Sequence, residues 1–267
     1  ESNWADLREA QRRAVAAGVM FGLWLAQRRT GNAGVVDVGW AAVTGTLALL
    51  YGVLGGGELP RRLLLAVLGG AWGWRLAWHL WIDRVWRRPE EGRYVTLRRQ
   101  WSPHADRAFF FFYQMQALAA VALSLPFALA AQAGAAFPKP PDLAALALVV
   151  VGVAGETAAD RQLLAFKRDP GNRGRTCRTG LWRYSRHPNY FFEWVLWCGF
   201  GALGLVAPWG WVGLVAPLLI LYLVIFVTGI PPTEAQARAS RGDDYRAYQR
   251  TTSAFVPWPP RRHKEND

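Results

Sequence analysis

Cysteine is scarce in this 267-residue chain, in which Cys177 and Cys198 are the only two. So few cysteines exclude a disulfide scaffold, and neither lies near a second pair at metal-ligand spacing. Charged residues are also few, at 19%, whereas hydrophobic residues make up 52%. This apolar content excludes a disordered chain. Segment 1–13 is charged and no small-residue cleavage site follows the first apolar stretch, so we expect no cleaved signal peptide.

Charge is missing altogether from several long apolar runs, among them 117–131, 143–154 and 195–211. A helix needs about 20 apolar residues to cross the hydrocarbon core of a bilayer. The sequence therefore predicts an all-α integral membrane protein with seven transmembrane helices, at approximately 13–27, 34–57, 61–82, 108–132, 142–165, 189–207 and 209–230. No internal repeat or soluble second domain is visible, so we expect one membrane-embedded domain over 1–267.

The distribution of basic residues predicts the orientation of the chain. Loop 83–107, segment 161–188 and tail 231–267 hold seven, eight and seven of them, which with Arg28 and Arg29 make 24 of the 31 in the chain. Seven crossings place these four regions on one side. The positive-inside rule then predicts that the N-terminus is outside and the C-terminus cytosolic. The net charge of +12 follows from this topology and from contact with anionic lipid, and does not indicate a nucleic-acid partner.

One acidic residue, Asp37, lies about one turn into the second predicted span. Ionisable groups inside spans are rare and commonly functional. Partial desolvation favours the protonated form of a carboxylic acid, which can donate to a carbonyl oxygen. The structural alternative is a helix cap or a salt bridge with Arg28 or Arg29.

A second polar group lies on the third predicted span. Arg75, His79 and Asp83 fall at i, i+4 and i+8 and share one helix face. This stripe is compatible with a catalytic role for His79 and equally with a structural ion ladder.

The densest polar segment is 160–193, which combines glycine and proline turns with eight cationic side chains and several aromatic rings. Arginine forks bind phosphates bidentately, and aromatic faces stack on planar bases. His187 has no second histidine at ligand spacing, so no metal site is predicted. Neither a Rossmann glycine motif nor a P-loop is present. The alternative reading of the segment is an ordinary basic cytosolic loop.

The segment Tyr184–Tyr190, with Thr179–Trp182 before it and Glu193 after it, resembles the steroid 5-alpha-reductase family, and most closely its bacterial branch. The similarity continues through Val36–Trp40, Glu91–Tyr94 and Pro232–Pro257, in the same order over nearly the whole chain. Seven helices also fit that family. The Arg-His-Pro-Asn-Tyr stretch alone is less specific, because sterol C14-reductases and integral-membrane methyltransferases of isoprenylcysteine and phospholipids have a similar segment.

The resemblance implies NADPH as cofactor and a 3-keto-4-ene steroid, or a similar lipid enone, as substrate. It implies that loops 83–107 and 166–188 and tail 231–267 form a cytosolic cofactor cap. The cofactor-binding residues expected from it are Arg93, Asp160, Lys167, Arg168, Arg175, Tyr184, Arg186, His187, Asn189, Glu193, Glu234 and Arg238.

The catalytic residues differ from those of the animal enzymes in that family. Val36 and Asp37 stand where those enzymes have a Gln-Glu pair, and no tyrosine matches their catalytic tyrosine on the third span. Asp37, His79 and Tyr94 are therefore the catalytic candidates. Lys167 and Glu156 also depart from the family, which has an arginine and an asparagine at these positions.

Two other classes of protein compete with a reductase. The first is a methyltransferase that uses S-adenosylmethionine, a cofactor without phosphate that gives no reason for clustered arginines. The second is a non-enzymatic lipid-binding scaffold or transporter, which the lack of repeat symmetry disfavours. For the reductase we expect a monomer surrounded by membrane lipid, in the inner membrane if the source is bacterial.

Overall fold

The computed structural model describes the backbone of residues 2–261 and the side chains of residues 15–261. Over this part of the chain the protein is 77% helical and contains no strand, so the all-α prediction is confirmed. The chain divides into two compact units. The first unit comprises 1–142 and 202–216, and the second comprises 143–201 and 217–267.

The first unit contains six helices and two short helical turns. The helices are α1 (Ser2–Thr30), α2 (Val35–Leu54), α3 (Leu59–Leu80), α4 (Gly92–Gln100), α5 (Ala105–Leu123) and α6 (Leu125–Ala130), with a π-helical turn at Trp81–Val85 and a 3-10 turn at Gly210–Leu214. Helices α2 and α3 form the most extensive pair. They approach closely because Gly45 and Gly73 face each other, so that a Cβ on Gly73 would meet the backbone of Gly45.

The second unit is built from helices α7 to α10, the first three of which extend into the first unit by a few residues. Their bounds are α7 (Pro140–Arg168), α8 (Pro188–Gly204), α9 (Val215–Tyr222) and α10 (Ile230–Thr251), with a π-helical turn at Leu223–Val227. Helices α7 and α8 pack closely at Gly152, where a Cβ would meet Leu196. Helix α10 kinks at Gly242, whose φ of 52° suits glycine.

Four helical stretches are long and apolar enough to cross a membrane. They are Val35–Leu54, Ala105–Ala130, Pro140–Arg168 and Gly210–Thr251. The seven predicted spans all fall largely on helical residues. The number of crossings and the orientation remain predictions. The first part of tail 231–267 is α10, which buries Ala237, Tyr245 and Tyr248 on one face.

Candidate functional site

Three polar side chains of the first unit contact Asp37. We call the four residues together the Asp37 cluster: Asp37, Arg84, Arg93 and Tyr94. The Tyr94 hydroxyl donates to Asp37 Oδ1 at 2.9 Å. Arg84 Nη1 donates to Oδ2 at 3.0 Å, and Arg93 Nη2 donates to the same oxygen. Arg93 Nη2 also lies 2.9 Å from the Tyr94 hydroxyl oxygen. Both carboxylate oxygens therefore have charged or hydroxyl donors.

Local backbone structure brings these groups together. Asp37 lies in the first turn of α2, and Arg84 lies in the π-helical turn that follows α3. After a residue with positive φ at Arg87, α4 begins at Gly92 and carries Arg93 and Tyr94 in its first turn. The Tyr94 ring is buried between Phe109 and Phe112, with ring centroids 6.5 and 6.4 Å away. This packing fixes the direction of the hydroxyl.

Electrostatic interactions within the Asp37 cluster shift the pKa values of Tyr94 and Arg93. Burial raises the pKa of Tyr94 well above its usual value, and the negative charge of Asp37 adds to the effect. Burial opposes the charge of Arg93, but Asp37, Tyr94 and Glu91 together outweigh it and the pKa of Arg93 is raised. Tyr94 is therefore neutral and Arg93 cationic at neutral pH. Asp37 is thus paired with two guanidinium groups and a hydroxyl, none of which is the Arg28 or Arg29 partner considered from the sequence.

The partners of Asp37 differ from those considered in the sequence. Arg28 pairs instead with Asp106, at 3.2 Å. Arg84 was missed because the sequence shows it only as one of seven arginines in loop 83–107. Its position one turn beyond α3 depends on the π-helical continuation of that helix, for which the sequence carries no clear signal.

His79 is not brought into the Asp37 cluster. Its side chain is exposed, as are those of Arg75 and Asp83, so the predicted stripe exists but faces outward. The buried face of α3 carries Ala77 and Leu80, which pack with Ala41 of α2. His79 and Asp37 share no hydrogen bond among the described residues, and a catalytic role of His79 remains a prediction.

A second polar group, the Glu234 cluster, lies in the second unit and consists of Glu234, Arg186, His187 and Gln249. Arg186 Nε and Gln249 Nε2 each lie 2.6 Å from a Glu234 carboxylate oxygen. His187 Nε2 lies 3.4 Å from the same carboxylate, and its ring stacks on Tyr190. Arg186, His187 and Glu234 are each about nine-tenths buried or more. These side chains thus bind one another and hold α10 against the start of α8.

Other predicted cofactor residues have partners of their own. Asn189 Nδ2 donates to Asp160 Oδ1 at 3.3 Å, and Trp197 Nε1 donates to Glu193 at 2.9 Å. Arg238 lies 3.8 Å from Glu234 at the edge of its cluster. The side chain of Tyr184 is 40% exposed, so its ring is accessible.

The basic loop, residues 161–183, is rich in exposed cationic side chains. Arg178 pairs with Asp244 at 2.7 Å. The other cationic side chains of the loop are exposed and form no ion pair within residues 15–261: Arg161, Lys167, Arg168, Arg173, Arg175 and Arg183. Such groups fit a ligand that carries several phosphates. Arg186, His187 and Glu234 differ from these side chains, because protein groups occupy most of their hydrogen-bonding capacity, and their role in cofactor binding remains a prediction.

The described residues combine two features: helices long and apolar enough to cross a membrane, and polar clusters at Asp37 and Glu234. Within residues 15–261 no three side chains of His, Cys, Asp and Glu could hold a metal ion. A family model described as a protein of unknown function (DUF1295) matches residues 23–252, and the chain belongs to this family. No curated protein and no solved structure matches the chain.

Proposed function

We propose that the protein is an NADPH-dependent reductase of the carbon-carbon double bond of a 3-keto-4-ene steroid or a similar lipid enone. The observation that carries the proposal is the Asp37 cluster. There the carboxylate and the tyrosine that the sequence singled out are in hydrogen-bond contact. Asp37, Arg84 and Arg93 are about one-fifth to one-third exposed, so a ligand can reach them, whereas Tyr94 is buried beneath.

The cluster suits the polarisation of a carbonyl group. N–H groups of Arg84 and Arg93 that face a carbonyl oxygen withdraw charge from the conjugated double bond. The same groups stabilise the enolate oxygen after hydride reaches the beta carbon, and a proton on the alpha carbon completes the reduction. Asp37 and Tyr94 act as positioning residues, because they hold Arg93 from two sides. This assigns the electrostatic role to the two arginines, whereas the sequence suggested Asp37 as the donor.

NADPH, when bound, supplies the hydride. Lys167, Arg168 and Arg175 of the basic loop would hold its phosphates, and the exposed ring of Tyr184 would stack on a base. The 2′-phosphate of NADPH adds negative charge, which would explain the number of unpaired cationic side chains in the basic loop. The Glu234 cluster and the Asp160–Asn189 hydrogen bond would shape the pocket from behind.

The proposal includes the finer topology. Seven helices cross the membrane, the N-terminus lies outside, and the basic loop and α10 face the cytosol. In a bacterium the protein lies in the inner membrane and acts as a monomer. A lipid-soluble enone then reaches the enzyme from the bilayer, while NADPH arrives from the cytosol.

The test measures the reduction of progesterone by the detergent-purified protein, monitored through the oxidation of NADPH. Tyr94→Phe keeps the packed ring but removes the hydroxyl that contacts Asp37 and Arg93. We expect it to lower kcat about tenfold or more, since displaced catalytic groups lose rate steeply. Asp37→Asn should act in the same direction.

Tyr113→Phe is the matched control, because Tyr113 is another buried tyrosine, and among the described residues its hydroxyl bonds only to the Ala33 carbonyl, at 3.0 Å. It should keep the wild-type rate. Wild-type activity in both Tyr94→Phe and Asp37→Asn would contradict the proposed site. Methyl transfer from S-adenosylmethionine, without enone reduction, would favour the methyltransferase instead.

A further inference from the structure

A cavity of about 370 Å³ lies in the second unit, at the C-terminal end of α10. One wall is the C-terminal strap, residues 252–261, which runs back beside the Tyr184–Arg186 turn. The strap is held by backbone hydrogen bonds from Arg186 N to Ser253 O and from Trp258 N to Tyr184 O, both 2.9 Å. Arg261 N donates to Thr251 O at 2.8 Å. The cavity is therefore preformed.

The lining of the cavity is positively charged. Arg186, Arg250 and Arg261 line it together with the hydroxyl residues 251–253, and no aspartate or glutamate does. Arg250 and Arg261 are exposed and have no ion pair within the described side chains. The buried Arg186 uses Nε for Glu234 and Nη1 for the carbonyls of Gln249 and Thr252. Its Nη2 has no protein acceptor among the described residues.

These groups suit one type of ligand. Three guanidinium groups offer N–H donors to a tetrahedral oxyanion, and arginine binds phosphate bidentately. Most of the side chain of Arg186 is buried, which makes it a fixed base of the cavity, while Arg250 and Arg261 stand at the mouth. A carboxylate ligand would use fewer of these donors than a phosphate.

We propose that this cavity is a phosphate-binding site. The phosphate has two possible sources, the headgroup of an anionic phospholipid and a free phosphate ion. The strap also exposes Val256 and Trp258, which are 51% and 69% accessible. An exposed tryptophan beside arginines is typical of a membrane interface that contains anionic lipid. The site does not depend on the proposed reductase activity, and its test needs no NADPH.

The experiment compares the thermal stability of the detergent-purified full chain in two arms. In one arm inorganic phosphate replaces chloride at equal ionic strength. In the other, micelles contain phosphatidylglycerol or, as control, diacylglycerol, and native mass spectrometry counts the bound lipid. The test variant is Arg250→Gln with Arg261→Gln. The matched control is Arg246→Gln, an exposed cation one turn earlier on α10 that is outside the cavity lining.

We expect wild type and Arg246→Gln to be stabilised in at least one arm, and the double variant to lose affinity about tenfold or more, because two charge-assisted contacts disappear. A response to phosphate alone identifies the free ion, and a response to phosphatidylglycerol identifies the headgroup. No response in either arm, or an equal response of the double variant, overturns the proposal. Saturating NADPH should leave the response in place, and its loss would assign the cavity to the cofactor instead.

Discussion

Removal of the Arg61 side chain should lower the stability of the first unit strongly. Its guanidinium is fully buried and binds Asp142 bidentately, with Nε to Oδ1 and Nη2 to Oδ2 both at 2.7 Å. Its two terminal nitrogens also donate to three carbonyl oxygens of the loop that joins α6 to α7, those of Ala133, Ala135 and Ala136. One side chain therefore satisfies a buried carboxylate and fixes the loop.

Arg61→Met keeps the approximate length of the side chain and removes every donor. Asp142 then retains only the backbone N–H of Lys139, at 2.8 Å, and stays buried with little compensation. Breaking a buried pair in this way costs about 3–5 kcal/mol. The double variant Arg61→Met with Asp142→Leu should be more stable than Arg61→Met alone, because the uncompensated charge is gone.

The assay is the free energy of unfolding of the purified protein in mixed micelles, from denaturant titrations followed by circular dichroism. Arg62→Met is the control, since Arg62 is adjacent and its guanidinium donates to two carbonyls, those of Gly52 and Val53, with no carboxylate partner among residues 15–261. We expect it to cost about 1–2 kcal/mol. An Arg61→Met variant no less stable than Arg62→Met would refute this reasoning, as would a double variant less stable than Arg61→Met.

Three further substitutions test other parts of the structure. Gly73→Ala should destabilise the α2–α3 pair by about 1–3 kcal/mol, because the new Cβ meets the Gly45 backbone; denaturant titration checks it, and an unchanged midpoint would show that the helices are farther apart. Glu234→Gln should lower the stability of the second unit, since Arg186 loses its carboxylate, and limited proteolysis should then cut within α10 sooner than in wild type. Arg178→Gln breaks an exposed pair with Asp244 and should change the unfolding free energy by less than about 1 kcal/mol; a larger loss would mean that this pair fixes the basic loop.

The helices of the seven predicted spans could be predicted from the sequence because each lies on a long apolar run, and apolar length is visible without tertiary information. Helix α10 could not be found this way, since it is rich in charged residues. Its buried positions, Ala237, Tyr245 and Tyr248, recur at helical spacing, and that periodicity was the available signal. The kink at Gly242 partly obscures it.

The polar sites were predicted in part. Asp37 and Tyr94 were both candidates, but only the packing of Tyr94 against the start of α5 shows that they meet. The pair of Arg61 with Asp142 joins residues 81 positions apart, and no local pattern predicts such a contact. The position of His79 has a related limit, because periodicity placed it on one face of α3 but could not show which face is buried.

The proposed reductase requires NADPH, which we expect the basic loop to bind. The most direct test is thermal stabilisation of the detergent-purified chain by NADPH, NADH and S-adenosylmethionine, in wild type and in a variant with Lys167, Arg168 and Arg175 replaced by Gln. A ligand that binds only the folded state should add about 2.7 kcal/mol at 100 times its Kd. The account predicts stabilisation by NADPH that the variant loses. Stabilisation by S-adenosylmethionine alone, or by none of the three in folded protein, would contradict it.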